Sequence, residues 1–181
     1  MSVKMSVKNI KRGTGTGIYM SNIITRNILL SFNLMGNNID VILTDRIKKL
    51  YEKRCITEGY VKENSVILLN YSSGILRGGN IVFNVNFECL ICKPIEGMRI
   101  NVVVKNITKA GIKCETRYHP SPIIAFVARD HHNTNREFSN IKVGDEIYIK
   151  VIGIRYELND EYIALIAELM KSTTRSKKNK D

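Results

Sequence analysis

The chain has 181 residues, enough for one large domain or two small ones, and its 44% hydrophobic and 25% charged residues are typical of a globular protein. No apolar run approaches the roughly 18 residues of a membrane-spanning helix, which excludes a helical membrane protein. The net charge of +11 favours a polyanionic partner, usually nucleic acid.

The basic residues are concentrated at the two ends of the chain. Residues 1–20 hold four basic and no acidic residues, and residues 171–181 are similarly basic. We expect a flexible basic arm at 1–20 and a disordered basic tail at 171–181, both suited to phosphates, although basic ends also serve solubility or targeting. The arm lacks the apolar core of a signal peptide, so the protein is predicted to stay inside a cell or a virion.

The first module is predicted to span residues 21–96, and it opens with a strand over Ser21–Leu34, in which apolar residues alternate. Gly36 and the two asparagines after it break this strand. A helix is predicted from Ile39, because apolar residues then recur at helical spacing. An acidic residue in its first turn and basic residues up to Arg54 in its last turn suit the helix dipole.

Strand material over Cys55–Asn70 and a turn at Tyr71–Gly74 lead to the clearest element of the sequence. After a double-glycine turn signal, every second residue over Ile81–Ile91 is apolar, which is typical of a half-buried strand. Pro94 ends this strand because proline has no N–H for the ladder. The first module is therefore predicted to be one helix packed on an antiparallel sheet.

The second module, residues 97–170, has shorter strands and a polar loop at Asp130–Lys142. Its predicted strands are Arg99–Thr108, Ile112–Arg117, Ser121–Arg129, Glu146–Tyr156 and Tyr162–Leu169. Five short strands in about 70 residues favour a closed barrel, most often an OB-fold, which binds nucleic acid on its second and third strands. The predicted fold class is α+β to mostly β: an antiparallel sheet with one helix, then a five-stranded OB-fold barrel.

The cysteines and histidines form no metal or catalytic signature. The four cysteines lack a disulfide framework, and Cys89 and Cys92 lie three apart on a predicted strand, so they point to opposite faces. Asp130, His131 and His132 share a polar loop without a partner nucleophile or a third ligand. We therefore expect no metal, no cofactor and no catalytic residue, with the histidines near solvent or nucleic acid.

Several segments, taken together, match the pattern of a known family. They are Gly59-Tyr60, Gly74–Gly78, Phe83–Phe87 and Cys92–Gly97, followed in the barrel by Gly111-Ile112, Phe126–His131 and Val143–Val151. In order and spacing over roughly residues 21–170, they resemble the larger stalk subunit of multi-subunit DNA-directed RNA polymerases. The chain is also rich in isoleucine, asparagine and lysine, which fits an AT-rich genome such as that of a large DNA virus.

The resemblance implies a non-catalytic stalk subunit that docks on the polymerase core through its first module and contacts nascent RNA through its OB-fold. The implied partners are the large polymerase subunits and single-stranded RNA, a smaller second stalk subunit is left open, and no membrane is involved. The implied location is the nucleus, a cytoplasmic viral factory or a virion. The alternative is a free-standing OB-fold RNA-binding protein of translation or RNA decay, which needs no exposed apolar tip on its first module.

The residues expected to dock lie in two loops that meet at a tip in the stalk family, residues 33–38 and 73–79. They are Leu34, Met35, Gly36, Ile75, Leu76, Arg77 and Gly78. The alternative is that the apolar members fold back onto the helix.

The residues expected to contact RNA are cations and rings near the second barrel strand. They are Lys109, Lys113, Arg117, Tyr118, His119, Arg129 and His131. Lys113 and Arg117 are predicted to share one strand face, where cations can contact phosphates. The alternative is that this face of the barrel is only solvated. Family barrels often carry an aromatic residue after the glycine of this strand, and here Ile112 and Lys113 stand there. Phe126 is predicted to lie in the core.

Overall fold

The structure is a computed structural model that describes residues 17–34, 36, 38–132 and 136–170. The predicted basic tail at 171–181 and all but the last four residues of the predicted arm lie outside the described residues. The first strand begins at Tyr19, so the last two residues of the segment assigned to the arm belong to the strand.

In the described part of the chain, the first sheet has six strands arranged around one long central strand. They are β1 (Tyr19–Ser31), β2 (Cys55–Ile56), β3 (Gly59–Val61), β4 (Ile67–Tyr71), β5 (Ile75–Arg77) and β6 (Asn80–Cys92). The central strand, β6, pairs with β1 along the whole length of both strands, and its other edge pairs with β5, β4 and β3 in turn. All of these pairings are antiparallel, as the sequence predicts.

Helix α1 (Ile39–Tyr51) covers the inner face of this sheet. Leu43 and Ile47 are completely buried against the inward residues of β1 and β6, and the Tyr51 ring stacks on Phe87 at 5.7 Å. The helix ends at Tyr51, three residues before the predicted end, because the chain turns there: Lys53 has a φ of +62°, in the left-handed region.

In the described residues, five strands of the second half close into a barrel. They are β7 (Arg99–Ile107), β8 (Gly111–Glu115), β9 (Ile123–Ala128), β10 (Glu146–Arg155) and β11 (Ile163–Leu169). Their order around the barrel is β7, β8, β9, β11, β10 and back to β7, with β9 and β11 parallel and the other pairs antiparallel. This is the OB-fold arrangement, which confirms the predicted fold class.

Two predicted boundaries differ from the structure for physical reasons. The first strand was expected to reach Leu34, but its last ladder pair joins Ser31 to Asn80, where β6 begins, and residues 32–34 form a 3-10 turn. The polar segment after β9 was expected to be a loop, but it contains a 3-10 turn and a short helix, α2 (Arg136–Asn140). Phe138 of this helix is buried in the barrel core, which accounts for the ordered backbone.

The sheet and the barrel share one continuous core at their junction. Tyr19, Cys55, Tyr60 and Cys92 belong to the first sheet and pack in the same buried cluster as the barrel strands. The Cys55 N–H donates to the Asp160 carbonyl at 2.7 Å, and the Cys55 carbonyl accepts from the Asn159 N–H at 2.9 Å. The predicted division after residue 96 falls in the connection between β6 and β7.

Candidate nucleic-acid interface and apolar tip

An exposed aromatic residue stands beside a lysine on the outer surface of β8 and β9. Lys113 pairs in register with Phe126, and Phe126 pairs in turn with Ile166 of β11. Phe126 is 37% exposed and Ile166 is 53% exposed. We call the outward residues Lys113, Glu115, Ile124 and Phe126 the β8–β9 wall.

The prediction that Phe126 lies in the core is wrong. Ile123, Ala125 and Val127 are the residues of β9 that point into the barrel, which puts Phe126 outside. The Phe126 ring lies over Gly111, where a Cβ atom would approach the ring Cζ to 2.8 Å. The glycine therefore makes room for the ring, and the wall gains the aromatic surface that the sequence lacks on β8.

Two predicted cations lie together at one end of the wall. The Arg129 Nε donates to the Lys109 carbonyl at 3.0 Å, and the Arg129 guanidinium lies 5.2 Å from the centre of the Phe138 ring. These contacts fix the Arg129 side chain in place, whereas Lys109 is exposed on the neighbouring turn. The side chain of His131 lies outside the described residues.

Arg117 does not share a strand face with Lys113, contrary to the prediction. β8 ends at Glu115, and Arg117 forms an ion pair with Glu146 of β10. Since β10 lies beyond β7, Arg117 is directed away from Phe126. Lys113 instead pairs with Glu115 on the wall, at 3.7 Å.

Tyr118 and His119 lie at the junction with the first sheet. The Tyr118 ring meets the Tyr19 ring edge-on at 5.1 Å, with the Lys62 Nζ between 5 and 6 Å from both ring centres (5.2 Å and 5.9 Å). Tyr118 therefore helps to join the sheet to the barrel. His119 is exposed and lines a cleft beside this contact.

The tip of the first sheet is apolar and exposed. Phe32, Leu34, Ile75 and Leu76 are between 55% and 67% exposed, so the described members of the tip do not fold back onto α1. Gly78 and Gly79 have φ values of +52° and +78° and form the two-residue turn between β5 and β6. Gly36 and Arg77 are exposed as well, and Met35 lies outside the described residues.

The apolar surface of the tip continues onto the outer face of the sheet. Leu29 of β1 and Ile75 of β5 both pair with Val82 of β6, which sets three apolar side chains in one row. The next rows are polar, since Asn84 donates to Asn27 and Thr25 donates to Asn86. The apolar patch is therefore confined to the end of the sheet where the tip lies.

All four cysteines are buried and contribute to the packing of the cores. Cys89 lies in the core under α1 and Cys92 lies in the junction core, on opposite faces of β6. Burial raises the pKa of each of the four thiols to about 12, so a reactive thiolate is absent near neutral pH.

Among the described residues, no group of three or more histidine, cysteine or acidic side chains could hold a metal ion. None of the described helices is both long and apolar enough to span a membrane.

Together, these features define a class of protein: an antiparallel sheet with an apolar tip, joined rigidly to an OB-fold barrel with a basic and aromatic wall. No family model matches the chain. It is 25% identical over 162 residues to the "Putative DNA-directed RNA polymerase subunit L376" of Acanthamoeba polyphaga mimivirus, covering 81% of this chain and 78% of that protein.

Two plant proteins are similar over nearly the same extent. The "DNA-directed RNA polymerase II subunit RPB7" of Glycine max is 24% identical, with 76% of this chain and 85% of that protein covered. The "DNA-directed RNA polymerase II subunit 7" of Arabidopsis thaliana is also 24% identical, with 75% and 84% covered. Matches of this length extend over both the sheet and the barrel. The chain is therefore similar to RPB7 subunits and to a viral RNA polymerase subunit, which confirms the resemblance inferred from the sequence.

Proposed function

We propose that the chain is a non-catalytic stalk subunit of a DNA-directed RNA polymerase. The observation that carries this proposal is the similarity, over three quarters or more of the chain, to proteins named as RNA polymerase subunits. The chain docks on the polymerase core at one end and contacts RNA at the other. Its residues therefore bind the core and position the RNA, and they catalyse no reaction. The large subunits are its principal partners, and a smaller second stalk subunit is a further candidate.

The β8–β9 wall is the surface for nascent RNA. Lys113 supplies a cation for a phosphate, and Phe126 supplies a ring on which an unpaired base stacks. Lys109 extends the positive charge at one end of the wall, and His119 lies at the other. Because stacking tolerates every base, this surface suits a transcript of any sequence.

The tip is the surface that docks on the polymerase core. Leu34, Ile75 and Leu76 are exposed beside glycines, and burying one leucine-sized side chain contributes roughly 1.5–3 kcal/mol. The same exposure argues against the alternative, a free-standing OB-fold RNA-binding protein, which has no use for an apolar patch at the far end of its sheet.

The location follows from the partners. A polymerase subunit works in the nucleus, or in a cytoplasmic viral factory when a virus encodes it, and a virion that packages its polymerase would contain it. We therefore propose one of these locations rather than secretion.

Native purification tests the proposal. A tagged copy of the chain is expressed in the cells in which the protein is naturally made and is purified under mild conditions. It is expected to co-purify with the two largest polymerase subunits in stoichiometric amounts. A tagged OB-fold protein of similar charge serves as the control for adhesion through RNA, and nuclease treatment removes that adhesion. Recovery of the chain without large polymerase subunits would contradict the proposal.

A further inference from the structure

The polar cleft that His119 lines lies where the barrel meets the first sheet, and it adjoins the β8–β9 wall, with which it shares Glu115 and Ile124. Its volume is about 580 Å³. Lys53 and Arg54 line it from the turn between α1 and β2, and Glu161 and Tyr162 line it from the loop between β10 and β11. We call this space the junction cleft.

The junction cleft is continuous with the β8–β9 wall. Glu115 and Ile124, which line the cleft, pair in register on the same outward face as Lys113 and Phe126. A strand rises about 3.3 Å per residue, so Ile124 lies about 7 Å from Phe126 along β9. A chain of nucleotides that stacks on Phe126 therefore reaches the cleft without crossing a gap.

The loop that forms one side of the cleft is held in place before any ligand arrives. Asn159 and Asp160 exchange backbone hydrogen bonds with Cys55, and the Glu157 N–H donates to the Asp160 carboxylate at 2.7 Å. These bonds hold in place the loop that immediately precedes Tyr162. A preformed site loses less conformational entropy on binding than a mobile one.

Among the described residues, one cation and one ring of the cleft have no protein partner. Lys53 is committed to Glu63, with 2.6 Å between its Nζ and the carboxylate oxygen. The Arg54 guanidinium, which is half-buried, has no ion pair or side-chain hydrogen bond within the described residues. Tyr162 is 43% exposed, and its phenol likewise has no partner in that part of the chain.

We propose that the junction cleft binds one unpaired nucleotide of the same single-stranded RNA that follows the β8–β9 wall. Arg54 binds the phosphate, since a guanidinium matches phosphate geometry, and the Tyr162 ring stacks on the base. Glu161 also lines the cleft, and its carboxylate is an acceptor for a base N–H such as the N3–H of uracil. The inference rests on the proposed contact between the barrel and RNA and extends that contact onto the first sheet.

A pair of double variants of the full-length chain tests the cleft by titration with labelled oligouridine. Arg54→Ala with Tyr162→Ala is expected to lower the affinity by about tenfold or more and to reduce the salt slope by about 0.7. Tyr148→Ala with Lys150→Ala is the matched control, because it removes an exposed tyrosine and a cation from β10, on the other side of the barrel. Equal affinity of the two double variants would overturn the proposal.

Two further measurements separate this inference from the proposed function. Arg54→Lys with Tyr162→Phe keeps the charge and the ring, and it is expected to bind nearly as well as the wild type. In the wild-type chain, an oligonucleotide containing 4-thiouridine is expected to cross-link to both the wall and the segment 157–162. Cross-links confined to the wall would overturn the proposed nucleotide site in the cleft but leave the proposed RNA contact of the barrel intact. If the wild-type chain bound no RNA, both proposals would be contradicted.

Discussion

Phe126 stands beside Lys113 on the outside of the barrel, and this single position changes what the wall can bind. A face with lysine alone holds phosphates in any conformation of the RNA, because charge has little directional preference. A ring beside the lysine adds a flat surface on which one base can stack, which favours an unpaired strand over a duplex in the proposed RNA contact.

Replacing Phe126 with alanine is expected to weaken binding of single-stranded RNA by about 1–3 kcal/mol, because one base loses its stacking surface. The loss of unfolding free energy is expected to be smaller than the roughly 3–5 kcal/mol of a fully buried phenylalanine, since the ring is partly exposed. Anisotropy titration and thermal unfolding measure the two effects. Tyr148→Ala, at another exposed ring of the barrel, is the control and is expected to bind RNA normally.

The double change of Lys113 and Arg117 to glutamate is expected to weaken RNA binding without unfolding the barrel. Most of the loss is expected from Lys113, which lies on the wall and whose removal reduces the salt slope by about 0.7. Arg117→Glu alone is expected to have a small effect on binding and to cost less than about 1 kcal/mol of stability, because its pair with Glu146 is exposed. An unchanged slope in the Lys113→Glu single variant would rule out the wall as a phosphate track.

At the scale of whole elements, the strand ladder decides where the tip becomes exposed. β1 and β6 end together at the Ser31–Asn80 pair, and the chain beyond that pair has no neighbouring strand. β5 and its turn into β6 lie at the same end of the sheet, so the apolar residues of the 3-10 turn after β1 and those of β5 are exposed at one end. Exposed apolar side chains from two segments at one end of a sheet are the kind of surface that suits docking, which is the role proposed for the tip.

Changing Leu34 and Leu76 to aspartate is expected to release the chain from its polymerase, because each substitution places a charge where an apolar contact forms. RNA binding by the isolated chain is expected to be unchanged, since both residues are remote from the barrel. The measurement compares polymerase recovered per tagged chain. Ile95→Asp with Val143→Asp is the matched control, as these residues are also exposed and apolar but lie away from the tip. Wild-type recovery of the polymerase by the tip variant would refute the docking surface.

At the scale of the whole molecule, the sequence is sufficient to predict the architecture but not which side chains of the barrel strands point outward. The alternation in β6, the helical spacing in α1 and the turns between barrel strands predicted the fold class correctly. Phe126 was misplaced because all six residues of β9 are apolar, so the strand has no polar face to mark the outside. Arg117 was misplaced because β8 stops two residues earlier than alternation suggested.

The junction between the sheet and the barrel connects the tip rigidly to the β8–β9 wall. The shared core around Tyr60 and Cys92 and the backbone bonds to Cys55 leave no flexible linker between the sheet and the barrel. The tip and the β8–β9 wall therefore keep a fixed relative orientation, and docking the tip determines where the wall lies. The sequence alone predicted both parts but could not predict their orientation, which depends on contacts between distant residues.

The basic residues at 171–181 are expected to add affinity for RNA without adding preference for any sequence, because lysine and arginine side chains reach phosphates and do not read base edges. Deleting this segment is expected to lower the affinity for several RNA sequences by the same factor. Titrations with a panel of oligonucleotides of equal length measure this. A changed ranking of the sequences would show that the segment contributes to base recognition.

The most direct measurement uses the assembled polymerase halted on a template, with 4-thiouridine placed in the transcript just beyond the region that the core encloses. Irradiation is expected to cross-link the transcript to this chain within the segments that carry Lys113 and Phe126, and the same transcript is expected to lose that cross-link when the tip variant is supplied instead. A halted polymerase that contains the chain, yet gives no cross-link between the transcript and the β8–β9 wall, would contradict the proposed role in contacting nascent RNA.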